Sequence, residues 1–243
     1  MIIRPIKTRI FREGDNLFEF IAGYFGKIPE SSILVVTSKI VALAERRTAS
    51  IKNSDTKKQL IRKESQTVLQ TKYHTLTVGK DGSVMTSAGI DASNADGKLI
   101  LLPKDGFKTA RFLRNKLRKK YGVKNLGVLI TDSRKSPLRK GIMGAAIGYA
   151  GFEGINDYRG NRDIFGRELK FPRVNVADSL AAAAVLVMGE GSERYPLALV
   201  QKTPASFCDK IQAKELRVGI QEDMYLPLFA KFLKNGRKNK KRR

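Results

Sequence analysis

Residues 107–133 read FKTARFLRNKLRKKYGVKNLGVLITDS, and two hydrophobic periods meet inside them. Phe107, Ala110, Leu113, Leu117 and Tyr121 fall three or four apart, the stripe of a helix, while Lys108, Arg111, Arg114, Arg118 and Lys119 cover its other faces. Gly122 is the expected stop, because only glycine takes the left-handed C′ conformation without strain. Leu126 to Thr131 is a short continuous apolar run, which reads as a buried strand ending on Asp132-Ser133. A helix with one apolar face feeding a buried strand predicts helices packed on sheets.

The same alternation extends in both directions. Ile33 to Thr37 is a second apolar strand, followed at once by Ser38, Lys39 and a helix-like stretch to Arg46. Thr56 to Gln70 is polar and lysine-rich and is expected as an exposed helix. Leu76 to Ala88 reads as a hairpin turning at Lys80-Asp81-Gly82-Ser83, and Lys98 to Leu102 as a strand ended by Pro103. Gly144 to Phe152 reads as a small-residue strand and Gly154 to Gly166 as a polar loop. Val176 to Met188 is a helix whose four consecutive alanines imply very close packing, and Pro196 to Gln201 returns as a strand.

Composition bounds the class. The 243 residues are 42% hydrophobic, enough for a core, so wholesale disorder is excluded. The longest apolar run, Leu180 to Met188, falls far short of the roughly 20 residues of a membrane span. The start, MIIRPIKTRIF, is too charged for a secretory signal. A lone Cys208 excludes intrachain disulfides and cysteine zinc sites, and a lone His74 excludes histidine-rich metal chemistry. These features predict a soluble cytoplasmic protein without a membrane partner. The net charge is +24, and seven of the positive charges lie in residues 234–243. Such a field attracts phosphates, and the tail is expected to be a disordered arm with nonspecific nucleic-acid affinity, set apart from a domain spanning residues 1–233.

Phosphate-binding loops of the G-x-x-x-x-G-K-[ST] and G-x-G-x-x-G types are absent, and Gly189-Glu190-Gly191-Ser192 is only a fragment of one. Asp91 to Gly97 has oxygen side chains at alternate positions. Its glycine is seventh rather than sixth and Leu102 stands where a closing glutamate belongs, so a hand-type calcium loop is rejected in favour of an Asx-rich turn. Asp132 and Ser133 end a buried strand, where sites collect in α/β proteins; cation ligand and turn cap are both open readings. Lys39, at a strand-to-helix junction, suits a phosphate group as well as a solvated surface.

Taken in order, these pieces resemble the coenzyme F420-0 gamma-glutamyl ligases, which add glutamate to a deazaflavin coenzyme. Glu13-Gly14-Asp15-Asn16-Leu17 is similar to that family's early E/P-G-D-D-L element, and Ser38-Lys39-Ile40-Val41 to its S-K-x-V. Ser87 to Asn94 contains its A-G-I-D-x-S-N, and Leu101-Leu102-Pro103 and Thr131-Asp132 fall where its L-L-P and T-D belong. Asp157 to Arg167 resembles its D-x-R-G…D-x-x-G-R stretch, and Val176 to Glu190 its V-A-D-x-L-A-A-A-A-x-L-V-M-G-[QE] helix.

The resemblance implies an α+β fold of mixed sheets and packed helices in two interleaved subdomains, assembled as a homodimer. It implies a GTP-dependent ligase joining the amine of L-glutamate to a carboxylate of an anionic acceptor through an acyl phosphate. Asp91, Asp132, Ser133 and Glu190 would hold magnesium or manganese, with potassium as a further cation. Thr8, Arg9, Ile10, Phe11, Ser38, Lys39, Asn94 and the segment from Met188, Gly189, Glu190 and Gly191 to Tyr195 would contact GTP. Asp91, Asp132 and Lys39 would carry the catalysis, with the three carboxylates Asp91, Asp132 and Glu190 converging on one pocket.

This chain departs from the pattern in places. The family's T-D-T-F-G-R-P-W-R is here Thr131 to Arg139, TDSRKSPLR, without the phenylalanine and tryptophan, and its second lysine in S-K-x-V-x-K is Leu43. Two alternatives stand beside the leading reading: a ligase of the same scaffold with a non-deazaflavin acceptor, and a noncatalytic basic homologue that binds nucleic acid or ribosomes.

Overall fold

The computed structural model describes residues 1–79, 82–219 and 221–227. Among these the chain forms two compact units that alternate along the sequence, so the expected α+β architecture with interleaved parts is found. The basic tail, and Lys80-Asp81 of the expected turn, lie outside the described residues.

Three successive stretches of chain supply the elements. The first carries β1 (Ile2–Ile6), α1 (Leu17–Ala22), β2 (Ser32–Thr37) and α2 (Ser38–Ala44). The second carries β3 (Thr48–Ser50), α3 (Thr56–Glu64), β4 (Ser65–Gln70), β5 (Thr75–Gly79), β6 (Val84–Thr86) and β7 (Lys98–Ile100). The third carries α4 (Gly106–Tyr121), β8 (Leu126–Arg134), β9 (Met143–Ala150), β10 (Ile155–Asp157), β11 (Arg173–Asn175), α5 (Val176–Met188) and β12 (Leu197–Gln201).

The first unit comprises Met1–Arg46, Pro103–Ser133 and Lys140–Leu216. Its centre is a five-stranded sheet in the order β1-β12-β2-β8-β9, in which β2 and β8 run parallel and β12 antiparallel to both β1 and β2. Alternation along the strands divides the core in two. Leu34, Val36, Val128, Ile130, Leu197 and Leu199 face a cluster built with α1, α2 and α4. Ile33, Val35, Leu129, Ala198 and Val200 face the alanine side of α5. Strands buried on both faces carry no polar alternation, which is why ILVVT and LGVLIT are continuous.

Helix α5 occupies the expected residues because both ends are signalled. The Asn175 side chain accepts from the Asp178 N–H, and Gly189 stands at the far end with a φ of 77°. Ala177, Ala181 and Ala184 are fully buried. The close packing that the alanines imply is real: a Cβ on Gly144 of β9 would lie 2.2 Å from the Ala181 carbonyl oxygen. Segment Ile155 to Asn175 is a long hairpin rather than a polar loop; Gly160 N–H donates to Leu169 O and Asp163 N–H to Arg167 O. Its apolar residues Ile164, Phe165 and Phe171 are 92%, 83% and 86% exposed.

The segment after β12 is fastened to the same unit. Buried Arg114 donates from Nε to Leu126 O at 2.7 Å and from a terminal nitrogen to Asp209 at 2.6 Å, and Arg118 reaches the same carboxylate at 3.0 Å. Arg114 above all, then Arg118, holds the Asp209 carboxyl below its ordinary value. A depressed folded pKa gives stability that is complete above the ordinary carboxylate value and disappears as pH falls through the folded one. The melting-temperature gap between wild type and Asp209→Asn is therefore expected to be constant from neutral pH down to about pH 5 and to close below about pH 4. A gap that stays open in acid would remove the ion pair as its cause.

The second unit comprises Arg47–Leu102 and Arg134–Arg139, with the described residues from Arg217 onward. It contains the three-stranded sheet β4-β5-β6 and the pair β3-β7, around a small core of Ile61, Ala88, Ile90, Leu99 and Leu101. The expected helix over 56–70 is half correct. Thr56–Glu64 is helical, and from Ser65 the chain turns extended and pairs with β5. The Ser65 hydroxyl takes the Ile61 carbonyl, which closes the helix, and Thr67 and Val68 suit a sheet better than a helix.

Candidate active site

The register of the first unit's sheet brings distant segments to one edge. Ile6 pairs with Leu197, Leu197 with Val36, and Val36 with Ile130, a single row across four strands. Thr8 to Phe11 continue from β1 at that edge and Ser38-Lys39 from β2. Residues 189–196 lead into β12 there, and Asp132-Ser133 close β8. Backbone bonds knit the edge: Thr8 N–H donates to Arg194 O at 3.0 Å and Thr37 N–H to Pro196 O at 3.0 Å.

Because β2 and β8 are parallel with Thr37 opposite Thr131, the next residues, Ser38 and Asp132, also meet. The Ser38 hydroxyl donates to Asp132 Oδ1 at 3.0 Å. Ser38 is buried and Lys39 half-buried in the first turn of α2. Ser133 follows Asp132 in the strand and so turns to the opposite face, the α5 side, where its hydroxyl bonds the Glu190 carboxylate. The end of β8 is thus held from both faces by two carboxylates and two hydroxyls.

Beyond α5, the Gly189–Gly191 turn is shaped by its own carboxylate. Gly191 N–H donates to Glu193 Oε2 at 2.7 Å, and a Cβ on Gly189 would lie 2.6 Å from Glu193 Cδ. Met188 is 2% exposed in the α5 core and Phe11 packs edge-on against Phe20, so their side chains serve the fold. Ile10 is exposed and Thr8 buried.

Asp91 and Asn94 belong to the second unit. Asp91 forms the expected Asx turn: its Oδ1 accepts from the Ser93 N–H at 2.9 Å and its Oδ2 from the Ser93 hydroxyl at 2.5 Å. Asn94 and Asp96 take positive φ of 51° and 48°. Sequence reasoning named Asn94 but missed Ser93, although its spacing of two from an aspartate is the signal of such a turn. It also missed Arg194, whose contribution is a backbone carbonyl that no side-chain pattern announces. Leu43 is half-buried against the helical core.

The oxygen donors at the β8 edge fit a hard cation such as magnesium or manganese, and the absence of sulfur and imidazole there fits no softer metal. The Thr131 hydroxyl, also buried at this edge, lacks a protein partner among the described residues. Among the described residues no group of three or more His, Cys, Asp or Glu gathers as a metal centre, so hydroxyls, water or substrate oxygens must complete any coordination sphere. No described helix is long and apolar enough to cross a membrane.

Fold and edge together define an α+β protein with an oxygen-rich, phosphate-compatible site at the carboxyl ends of parallel strands. The family profile described as F420-0:Gamma-glutamyl ligase matches residues 5–202. The chain is 34% identical over 230 residues to the coenzyme F420:L-glutamate ligase of Methanococcus maripaludis strain C7, covering 88% of this chain and 91% of the relative. It is 37% identical over 210 residues to that of Methanopyrus kandleri, covering 79% and 82%. It is 35% identical over 209 residues to that of Archaeoglobus fulgidus, covering 79% and 83%. The chain belongs to the F420-0:gamma-glutamyl ligase family.

Proposed function

We propose that this chain is a GTP- and divalent-metal-dependent amide ligase that adds L-glutamate to coenzyme F420-0, a small anionic acceptor, in the cytoplasm. The observation that carries the reading is the pair of contacts Ser38–Asp132 and Ser133–Glu190 on the two faces of one strand end. Family membership supplies the reaction class.

An amide does not form from a carboxylate and an amine in water without activation. The acceptor's carboxylate oxygen attacks the γ-phosphorus of GTP, the bond to the β–γ bridging oxygen breaks, and GDP leaves an acyl phosphate behind. The neutral amine of L-glutamate attacks the acyl carbon, inorganic phosphate departs, and the amine proton passes to solvent. A bound dication supplies neutralisation of phosphate charge. Asp132, Ser133 and Glu190 are assigned as its ligands in the first unit and Asp91 from the second, with potassium as a further cation. Lys39 is a point charge for the phosphates, and Ser38 holds Asp132 in place. Thr8 to Phe11, Asn94 and the loop from Met188 to Tyr195 are assigned to the nucleotide.

The test is incubation of the protein with GTP, manganese or magnesium, L-glutamate and coenzyme F420-0. GDP released only when the acceptor is present, with a product heavier by one glutamyl residue, is the expected result. GDP release with other carboxylate acceptors alone would move the substrate and keep the chemistry. RNA binding without turnover would sink the ligase reading.

A homodimer belongs to the same proposal, and the exposed Ile164, Phe165 and Phe171 on the β10–β11 hairpin suit burial against a second copy. Replacing Phe165 and Phe171 together by aspartate should convert the dimer to monomer in light scattering while leaving the helical signal unchanged. A wild type that is monomeric at micromolar concentration would remove the dimer from the proposal.

A further inference from the structure

We infer that the hollow between α1 and the loop following β1 is the nucleobase subsite, and that Glu19 selects guanine there over adenine; this rests on the nucleotide-dependent reading above. The hollow has a volume of about 510 Å³ and is lined by Arg9, Asn16, Glu19, Phe20, Gly23 and Tyr24. Asn16, Glu19, Phe20 and Gly23 are spaced i, i+3, i+4 and i+7, one face of α1 with its two caps. Gly23 leaves that face without a side chain at its far end.

Arg9 forms the opposite wall and is fixed there. Its guanidinium donates to Asp15 at 2.6 Å and to the Ile10 carbonyl at 2.9 Å, and lies 5.0 Å from the centre of the Phe20 ring. Its backbone N–H donates to the Tyr24 hydroxyl at 2.7 Å. A flat cation held still beside aromatic rings is a stacking surface for a purine.

Glu19 supplies the discrimination. Its backbone N–H is taken by the Asn16 cap, and among the described residues no donor pairs with its carboxylate. Two carboxylate oxygens can accept from the N1–H and the exocyclic amine of guanine. Adenine presents an acceptor at its N1, so the same oxygens repel it, and hypoxanthine keeps only one of the two bonds. Position also fits. The row from Ile6 through Leu197 and Val36 to Ile130 puts three strand spacings between the end of β1 and that of β8, about 14 Å in all. That is the reach of an extended nucleoside triphosphate from this hollow to Asp132.

The experiment compares calorimetric binding of GTP, ITP and ATP, with magnesium, to the full chain and to its Glu19→Gln and Lys39→Ala variants. Wild type should prefer GTP, with ITP intermediate. Glu19→Gln should weaken GTP roughly tenfold or more without weakening ATP, because a charge-assisted bidentate contact is lost. Lys39→Ala should weaken GTP and ATP alike, as a phosphate contact does. Equal affinity of wild type for GTP and ATP, or a GTP/ATP ratio unmoved by Glu19→Gln, would overturn the subsite while leaving the ligase reading standing. Absence of any nucleotide binding would overturn both.

Discussion

Asp132→Asn is expected to give a folded protein that loses metal-dependent GTP binding and turnover together, by about 100-fold or more. The substitution keeps the shape at the end of β8, and the amide oxygen can still accept from the Ser38 hydroxyl, now 3.0 Å from Oδ1. What it removes is one negative charge from an edge where Glu190 sits across the strand on Ser133. Without a metal, relief of carboxylate repulsion should leave the melting temperature unchanged or slightly raised. With manganese, wild type should gain stability in proportion to its occupancy, and the variant should not. Calorimetric titration of manganese and GTP, beside melting curves of both proteins, decides it. If the variant unfolds, or binds manganese as tightly as wild type, Asp132 is a strand-end cap and the proposed metal site is wrong.

Gly148→Ala is expected to be the most damaging single-methyl change in the first unit, at about 4 kcal/mol or more against a total stability of about 5–15. A Cβ at 148 would stand 2.1 Å from the carbonyl carbon of Gly106 and 2.5 Å from the Phe107 nitrogen. The approach is mutual, since a Cβ at 106 would lie 2.5 Å from the Ile147 carbonyl oxygen. Both obstacles are backbone, so no rotamer change relieves them, and α4 must lift off β9. Helix α4 carries Leu113 and Leu117, both fully buried, and a shift of its first turn disturbs that side of the core. Far-ultraviolet melting would show the loss as a destabilised or unfolded chain. A variant melting within a few degrees of wild type would mean that helix and strand can part at little cost.

Much of the first unit was legible because its signals are local. The helix over 107–121 shows its apolar stripe and its Gly122 stop, where the observed φ is 67°. Helix α5 shows its Asn175 cap and Gly189, and the buried strands show continuous apolar runs. Residues 65–70 were not legible, because SQTVLQ becomes a strand only through pairing with Thr75–Gly79. The 155–175 hairpin was hidden in the same way, its strands being three residues each and polar.

The chemistry divides along the same line. Sequence alone determined which residue types stand at the strand ends, because a lysine, serine or aspartate after an apolar run is visible without coordinates. It also determined what could not be there, a glycine-rich phosphate loop or a thiolate metal site. Only the tertiary structure decided which ends are neighbours. Ser38 meets Asp132 because β2 and β8 run parallel in a register that sets Thr37 against Thr131. Ser133 meets Glu190 because a strand turns successive side chains to opposite faces, and α5 covers the second of them. Hydrogen-bond register is a relation between segments nearly a hundred residues apart. It is fixed by burying both faces of the sheet at once, and no local pattern in either strand encodes it.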